Sequence, residues 1–283
     1  MSNMVINTNV LALNSHRAMK NVGAQQAQAS ARLSSGLKIN TAADDAAGLA
    51  ISEKMRAQIR GLDMASKNAQ DGSSLVQTAE GGMQQIDAMI QRARELTVQA
   101  ANDTNDGGDR DKIQNEIKQL FDEINSMSNR VEFNGKKLIN GSYSSSALYL
   151  QVGANAAQSI QFSISAININ SLGLNTVASA LASFSIMTGA SIDALLASFD
   201  SAIAKVTNER AKLGAIQNRL DYTMKSLDIS SENLSASESR IRDADMAKEM
   251  MALTKTNVLS QAATSMLAQA NQQPQNILQL LRQ

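Results

Sequence analysis

The chain has 283 residues with 26 basic and 26 acidic side chains, so it carries no net charge at neutral pH. A balanced charge gives no global attraction to nucleic acid or to an anionic membrane, and we expect neither as a partner. The hydrophobic fraction of 43% is that of a folded protein, but aromatic residues make up only 3%. This composition favours thin helix-on-helix seams over a large core with pockets.

The residues that most enzymes need are scarce. The chain has no Cys and a single His, and it contains no HExxH, GxxxxGK[ST] or GxGxxG motif. We therefore expect no catalytic site, no cofactor and no metal ion. The lack of Cys also suits a chain that works outside a reducing compartment. The first twenty residues lack the apolar region of a secretory signal, so an exported chain would use a different route.

The first half of the chain predicts two helices. Residues 3–33 form the first, which ends at Ser34-Ser35-Gly36 because Gly is the common C-terminal stop. A second begins at Asp44-Asp45 and continues to residue 101. Its apolar residues keep coiled-coil spacing and predict one buried seam. They are Ile51, Met55, Leu62, Ala65, Ala69, Val76, Ala79, Met83, Ile86, Ile90, Ala93 and Ala100. The adjacent Gly81-Gly82 predicts a kink or a close helix crossing.

A loop with the sequence NDTNDGGDRD (102–111) separates this helix from the next. Gly107-Gly108 is expected to end one helix and Asp109 to cap the following one, whose apolar stripe runs from Ile113 to Val131. A calcium site is the alternative interpretation of the acidic loop. Its spacing does not match an EF-hand, because Gln114 stands where the bidentate Glu should be.

Short β structure is predicted after this helix. Asn134-Gly135 and Asn140-Gly141 are both hairpin-turn sequences. Apolar residues then alternate with polar ones around Leu148 and again around Phe162, which indicates two short strands joined by residues 153–158. Residues 171–189 are rich in Ser and Ala and give no clear assignment, so we interpret them as a variable insert.

Helical spacing resumes at Ile192 and continues to Leu234, and a last helix is predicted from Arg240 to Gln272, closed by Pro274. The predicted fold is mainly α: a long antiparallel coiled-coil helical rod with a small β-hairpin region and its termini paired as helices at one end. The predicted segments are a terminal helix (1–43), rod helices with the hairpin (44–170), the short variable segment (171–189), a rod helix (190–242) and a second terminal helix (243–283).

The two ends share an unusual composition. Residues 1–43 and 250–283 contain no Asp or Glu, and they also contain no aromatic residue. What remains forms amphipathic helices whose apolar stripes are too weak to be stable alone. Such ends suggest a subunit that completes its folding when it polymerises.

Four stretches resemble the bacterial flagellin family. They are ARLSSGLKINTAADDAAGLAIS (31–52), NRVEFNGKKLINGS (129–142), LGAIQNRLDYTMKSLDISSENLSASESRIRDADMAKEM (213–250) and QANQQPQNILQLLRQ (269–283). The resemblance implies a homopolymer that forms the flagellar filament for motility, with the terminal helices lining an inner tube. It also implies export by the flagellar type III apparatus, an export chaperone on residues 247–283, and contacts with filament cap and hook-junction proteins.

The resemblance further implies recognition by host sensors. QRARELTVQA (91–100) is similar to the segment that the flagellin-sensing Toll-like receptor contacts, which places Arg92 and Leu96 there with Glu116 beside them. The alternative is that these residues serve only subunit packing. The apolar tail resembles the segment that NAIP-type sensors bind, although inner-tube packing is its first expected role. The tail residues concerned are Ile277, Leu278, Leu280 and Leu281.

Three other functions are considered. A hook-filament junction protein would share the terminal helices but would cap the filament rather than extend it, and the match over 213–250 favours the filament type. A secreted enzyme lacks both a site and the space for one. A free secreted ligand for a host receptor would not need two paired terminal stripes.

Overall fold

A computed structural model describes residues 8–180 and 189–280, without the side chains of 189–191 and 273–280. Most of the described chain is helical. The elements are α1 (Val10–Ser35), α2 (Ala46–Ala100), α3 (Gly107–Arg130), β1 (Glu132–Phe133), β2 (Lys136–Lys137), β3 (Leu148–Gln151), β4 (Ser159–Phe162), α4 (Ile169–Leu172), α5 (Asn175–Ala180), α6 (Gly189–Arg242) and α7 (Met246–Leu280). The mainly-α class with a small β region is confirmed.

The chain divides into two compact units. The terminal unit contains Met1–Gln58 and Asn233–Gln283, and the central unit contains Ile59–Glu232. The divisions fall inside α2 and α6, so each of these two helices contributes residues to both units. The segment boundaries predicted from the sequence, at residues 43 and 242, lie instead at the ends of helices.

In the central unit, α2 and α6 run antiparallel. Three side-chain pairs show this, because residue numbers fall along α2 as they rise along α6. They are Arg94 with Asp200 at 2.7 Å, Glu80 with Arg210 at 3.2 Å, and Ser66 with Asp228 at 3.1 Å. The antiparallel helix pairing predicted from the heptads is therefore confirmed within this unit.

The core of the central unit follows the predicted seam closely. Predicted positions of α2 that are buried include Leu62, Ala65, Ala69, Val76, Ala79, Met83, Ile86, Ile90, Ala93 and Ala100. Phe121 of α3 and Phe199 of α6 complete this core with their ring centroids 6.1 Å apart. The predicted seam is wrong at Ile51, in the terminal unit, where Ser52 is buried instead and Ile51 is about half exposed.

Helix α3 begins three residues earlier than predicted. The carboxylate of Asp106 accepts a hydrogen bond from the backbone N–H of Asp109 at 2.8 Å, so Asp106 is the N-cap. Gly107 and Gly108 then lie in the first helical turn. The prediction that Asp109 caps this helix is wrong, because an acidic residue in the first turn stabilises the helix dipole without being the cap.

Three glycines of α2 let other chain segments approach its backbone. A Cβ added at Gly61 would lie 2.8 Å from the Cβ of Ala154, and one at Gly82 would lie 2.7 Å from Cγ2 of Val131. Gly72 is approached in the same way by the side chain of Leu150 in β3. At Gly82 the approaching residue is Val131, which follows α3, and α2 continues as one helix through Gly81 and Gly82. The helix crossing predicted at these two glycines stays a prediction.

The β structure consists of two antiparallel pairs. β1 pairs with β2 across the turn Asn134-Gly135, where both residues have positive φ, and β3 pairs with β4 with Leu148 opposite Phe162. Both features follow the sequence prediction. Asn140-Gly141 does not form a hairpin, because the Asn140 side chain accepts the N–H of Ser142 and closes a turn between non-paired segments.

The first part of the predicted variable insert belongs to the core. Leu172, Leu174 and Val177 are all buried, and residues 181–188 lie outside the described part of the chain. Nearby, the buried carboxylate of Glu209 accepts hydrogen bonds from the backbone N–H of Ser165 and from Lys212, both at 2.9 Å. Burial alone would raise the pKa of Glu209, but these hydrogen bonds outweigh it and lower the pKa below its ordinary value.

The last helix differs from the prediction at both ends. α6 ends at Arg242 and α7 begins at Met246. The carboxylate of Asp245, the residue before α7, accepts a hydrogen bond from the backbone N–H of Lys248 at 3.2 Å. The prediction that Pro274 closes the helix is wrong, since α7 continues to Leu280. Proline removes one N–H donor and crowds the preceding turn, yet its fixed φ is helical.

The adjacent glycines of α2 give a matched test of this packing. We expect Gly81→Ala to raise the free energy of unfolding by about 0.5–1 kcal/mol, because the site is open and Ala favours the helix. Gly82→Ala should lower it by about 1–2 kcal/mol, because the new methyl group overlaps the stiff Val131 side chain. Chemical denaturation followed by circular dichroism measures both, and equal effects would contradict the close approach at Gly82.

Candidate interaction surface

The two terminal helices pair with each other inside the terminal unit. The side chain of Asn9, which caps α1, donates to the backbone carbonyl of Ala270 in α7 at 2.7 Å. Gln26 donates to Asn257 at 2.8 Å. Because residue numbers rise along α1 as they fall along α7, the two helices are antiparallel. The termini are therefore paired as helices, as the sequence predicts.

The fully buried positions between α1 and α7 are occupied by small or polar residues, and the larger apolar residues of the seam are only half-buried. Among the described residues of this pair, three have less than a tenth of their surface exposed. They are Ala29, Thr256 and Ala270. The half-buried residues of α1 keep a three-four spacing, as they do in a coiled coil. They are Ala12, Ser15, Met19, Val22, Gln26 and Leu33, and Arg32 is also half-buried outside this spacing. Such a seam buries little apolar surface, so it stabilises the pair weakly.

Most of the large apolar side chains that are exposed lie on the two terminal helices. Nine of the fifteen large apolar side chains that are exposed in the described part of the chain lie on α1 or α7. They are Val10, Leu11, Leu13, Met246, Met250, Met251, Val258, Leu259 and Met266. We call these nine side chains the outward apolar surface. At ~100° per residue, Met251 and Val258 lie about 140–160° around α7 from the buried Thr256.

A short backbone strap joins the two helix breaks of the terminal unit. Leu37 and Asp243 form an antiparallel bridge, with the N–H of Lys38 donating to the carbonyl of Arg242 at 2.7 Å. The N–H of Ala244 donates to the carbonyl of Gly36 at 2.9 Å. Gly36 has φ of +72°, a conformation that favours Gly and lets α1 end there. The strap lies where α1 ends and just before α7 begins.

Charged side chains hold the strap in place. Arg32 of α1 pairs with Glu249 of α7 at 3.4 Å, and Arg242 pairs with Glu53 of α2. Asp44 accepts backbone N–H groups from Thr41 and Asn40, and these hydrogen bonds lower the pKa of its carboxyl below the ordinary value. The acidic partners come from outside the acid-free ends, so those ends depend on neighbouring segments for charge pairing.

The residues predicted to contact a host receptor fall into two groups. Arg92 of α2 and Glu116 of α3 form an exposed ion pair at 3.0 Å, and the hydrogen bond and charge of Glu116 raise the pKa of Arg92. Leu96, one turn further along α2, is only 2% exposed and packs in the core. The structure therefore brings Arg92 and Glu116 together at the surface, while Leu96 lies beneath it.

The tail residues predicted to pack or to bind sensors are only partly described. Ile277, Leu278 and Leu280 lie in α7, whose backbone is helical to Leu280, but nothing is described of their side chains. Leu281 lies outside the described residues. Their roles therefore stay predictions.

Sequence reasoning missed the strap and the outward apolar surface. The strap joins residues about 200 positions apart, and no local motif marks such a pairing. The outward surface could have been found from the seven-residue spacing of Met251 with Val258 and of Leu259 with Met266. No cluster of three or more His, Cys, Asp or Glu that could hold a metal occurs among the described residues. No helix in that part of the chain is both long and apolar enough to cross a membrane.

Comparisons with known proteins match both ends of the chain. The family model for the bacterial flagellin N-terminal helical region matches residues 6–144, and that for the bacterial flagellin C-terminal helical region matches residues 196–281. The chain is 50% identical to the flagellin of Bacillus subtilis and 42% identical to a flagellar filament 31.3 kDa core protein of Treponema maltophilum. Each alignment covers 99% of this chain and 100% of the relative.

A solved structure shares the fold at low identity. FlgL of Bacillus cereus gives a TM-score of 0.52 at 16% identity, covering 65% of this chain and 97% of that one. At this level of identity the likeness concerns the fold alone.

Two residues of α2, one turn apart, test the packing of residues 91–100, the segment similar to one that the Toll-like receptor contacts. We expect Leu96→Ala to lower the free energy of unfolding by about 2–5 kcal/mol, because it leaves a cavity in the core. Arg92→Ala should change it far less, because its ion pairs are exposed. Urea denaturation of both variants measures this difference. A Leu96→Ala variant as stable as the unsubstituted chain would contradict the burial of Leu96.

Proposed function

The chain belongs to the bacterial flagellin family, and we propose that it joins other copies of itself through the outward apolar surface of α1 and α7. Its full-length relatives are named flagellins and flagellar filament core proteins. The chain is accordingly a structural subunit of the flagellar filament. The proposal concerns which side chains make the joints between subunits.

The observation that carries the proposal is the inverted placement of apolar residues in the terminal pair. The fully buried positions of the pair are small or polar, while nine large apolar side chains of the same helices are exposed. Full burial of a Val, Leu or Met side chain contributes about 1.5–3 kcal/mol. The isolated subunit does not gain this energy, but a polymer in which copies cover one another does. Copies of the same chain are therefore the expected occupants of this surface.

The hook-filament junction protein is the second candidate and is not favoured. The relatives that align over the whole chain are filament proteins, whereas FlgL shares 16% identity and supports only a common fold. A junction protein would use similar terminal helices to contact a different neighbour. The filament role therefore explains the full-length similarity better.

Further partners follow from the family. Export through the flagellar type III apparatus would deliver the subunit to an extracellular filament, with an export chaperone covering residues 247–283 before release. The exposed Met251 and Val258 support this, because they give a partner an apolar helix face to cover. Filament cap and hook-junction proteins would be the neighbours at the two ends of the polymer.

The tail residues Ile277, Leu278, Leu280 and Leu281 would extend the same joints. Their apolar character continues the composition of the outward surface toward the C-terminus. Packing in the polymer would be their first role, and contact with a NAIP-type sensor would require the free subunit. A charge placed at Leu280 or Leu281 should oppose assembly, because it would be buried without a partner.

Host recognition is proposed to use the exposed pair Arg92 and Glu116. Arg92 does not pack in the core. Its guanidinium lies at the surface of α2, and its side chain is about half exposed. Leu96 would act from beneath by supporting the backbone that carries Arg92. This assignment keeps all three residues in the recognition of a Toll-like receptor but gives them different physical roles.

A substitution at Val258 tests the assembly proposal. We expect Val258→Asp to leave the helical content of the free subunit unchanged, because the side chain is exposed there. It should abolish seeded filament growth, because joining copies would bury an unpaired carboxylate at a cost of several kcal/mol. Val258→Leu is the matched control and should assemble. Electron microscopy after seeding with a precipitating salt distinguishes them.

Truncated chains provide a second control for assembly. Removal of either acid-free end should leave the central unit folded, because its core is formed by residues 59–232. Neither truncated chain should form filaments. Long filaments from a truncated chain, or from Val258→Asp, would overturn the proposal.

Receptor signalling tests the role of Arg92 against a chemically similar neighbour. Arg92→Ala should reduce activation of the flagellin-sensing Toll-like receptor in reporter cells by about tenfold, the effect of losing roughly 1.4 kcal/mol of binding. Arg94→Ala is the control, since Arg94 is also exposed and ion-paired but contacts Asp200. The reversed pair Arg92→Glu with Glu116→Arg should not restore signalling. Full rescue would show that the pair acts only within the subunit.

A further inference from the structure

The methionines of this chain are unevenly distributed between core and surface. The chain has 14 Met residues, and within its described part five of them are exposed. Four of the five lie on α7, namely Met246, Met250, Met251 and Met266, with exposed fractions of 47, 53, 66 and 56%. The fifth is Met64 of α2, and Met83 of the same helix is completely buried.

These four α7 methionines form nearly half of the outward apolar surface. Val258 and Leu259 are the other members of that surface on α7. A thioether is the one apolar group among them that mild oxidants convert into a polar group. The same residues that provide apolar contact area therefore also provide sites of chemical modification.

We propose that the four exposed methionines of α7 are oxidation sites that switch the free subunit between assembly-competent and assembly-incompetent forms. This inference rests on the proposed joining of copies through the outward apolar surface. Hydrogen peroxide is the oxidant class that fits exposed thioethers. Subunits already joined are protected, because the joint covers these side chains.

The reaction is a two-electron oxygen transfer. The thioether sulfur attacks one peroxide oxygen, the O–O bond breaks and an S–O bond forms. After a proton transfer between the two oxygens, the products are one sulfoxide and one water. The sulfur is oxidised and the peroxide is reduced, and methionine sulfoxide reductase reverses the change with a thiol as reductant.

Sulfoxide formation opposes assembly for a physical reason. The sulfoxide oxygen accepts hydrogen bonds from water in the free subunit and loses them when an apolar neighbour covers it. The side chain also becomes more polar and loses the adaptability of the thioether. In the free subunit these residues face solvent, so oxidation leaves the fold of the central unit unchanged.

The test uses the full-length chain before and after assembly. Free subunits are treated with hydrogen peroxide, each Met is followed by peptide mass spectrometry, and seeded growth is measured by light scattering. The four α7 methionines should oxidise before Met83, and seeded growth should slow by about tenfold or more as polar groups are buried. Reduction by methionine sulfoxide reductase should restore growth. In assembled filaments the four sites should oxidise at least about tenfold more slowly, since the joint excludes solvent.

Substituted chains identify which methionines act. A chain with Met246→Leu, Met250→Leu, Met251→Leu and Met266→Leu keeps the apolar volume and should keep growing after peroxide treatment. The matched control Met64→Leu should lose growth as the unsubstituted chain does. Growth before and after reduction by methionine sulfoxide reductase is measured on the unsubstituted chain. This measurement therefore remains decisive if the fourfold variant folds poorly.

Two results would overturn the inference. One is undiminished growth of a chain shown to carry sulfoxide at all four α7 sites. The other is equal oxidation of these sites in free and assembled chains. If fully oxidised subunits assemble while Val258→Asp does not, the oxidation switch is wrong and the assembly surface stands. If Val258→Asp also assembles, the proposed joint itself is wrong.

Discussion

Only small or polar residues are fully buried between α1 and α7, and this limits how stable the terminal unit can be. Ala29, Thr256 and Ala270 are its buried residues within the described chain, and none supplies a large apolar side chain. Ordering a residue costs about 1–2 kcal/mol of conformational entropy, which the burial of apolar surface must offset. The pair meets that cost poorly with its own contacts. Under the proposed assembly, neighbouring subunits cover the exposed apolar side chains and so supply the burial that the pair lacks.

The central unit meets the same requirement internally. Large side chains such as Phe199, Ile90 and Leu220 are completely buried there, and Glu209 connects α6 to the chain that follows β4. Close approaches at Gly61 and Gly72 allow the loop at Ala154 and strand β3 to lie directly on α2. This unit is therefore expected to be stable before assembly, while the terminal unit depends on assembly.

Much of the fold was predictable because a regular heptad pattern indicates which face of a helix is buried. The seam from Leu62 to Ala100 and both strand pairs followed from periodicity and turn residues. Periodicity did not show that α2 is covered on more than one side. The resemblance placed Leu96 in a receptor contact, but its side chain is buried. It also did not show helix ends that depend on single hydrogen bonds, such as the cap at Asp106.

The candidate site was predictable in kind but not in detail. The absence of acidic residues at both ends indicated weak helices that need neighbours. The direction in which Met251 and Val258 point became clear only when α1 occupied one face of α7. The strap between Leu37 and Asp243 could not be predicted, because it joins backbone atoms and requires no particular side chain.

Amide hydrogen exchange of the full-length chain, free and assembled, tests the central claim most directly. The account predicts that amides of α1 and α7 exchange rapidly in the free subunit and become strongly protected in the filament. Amides of α2 and α6 within residues 59–232 should be protected in both states. If α1 and α7 were as well protected as α2 and α6 in the free subunit, the terminal unit would be stable by itself, and assembly would not complete its fold.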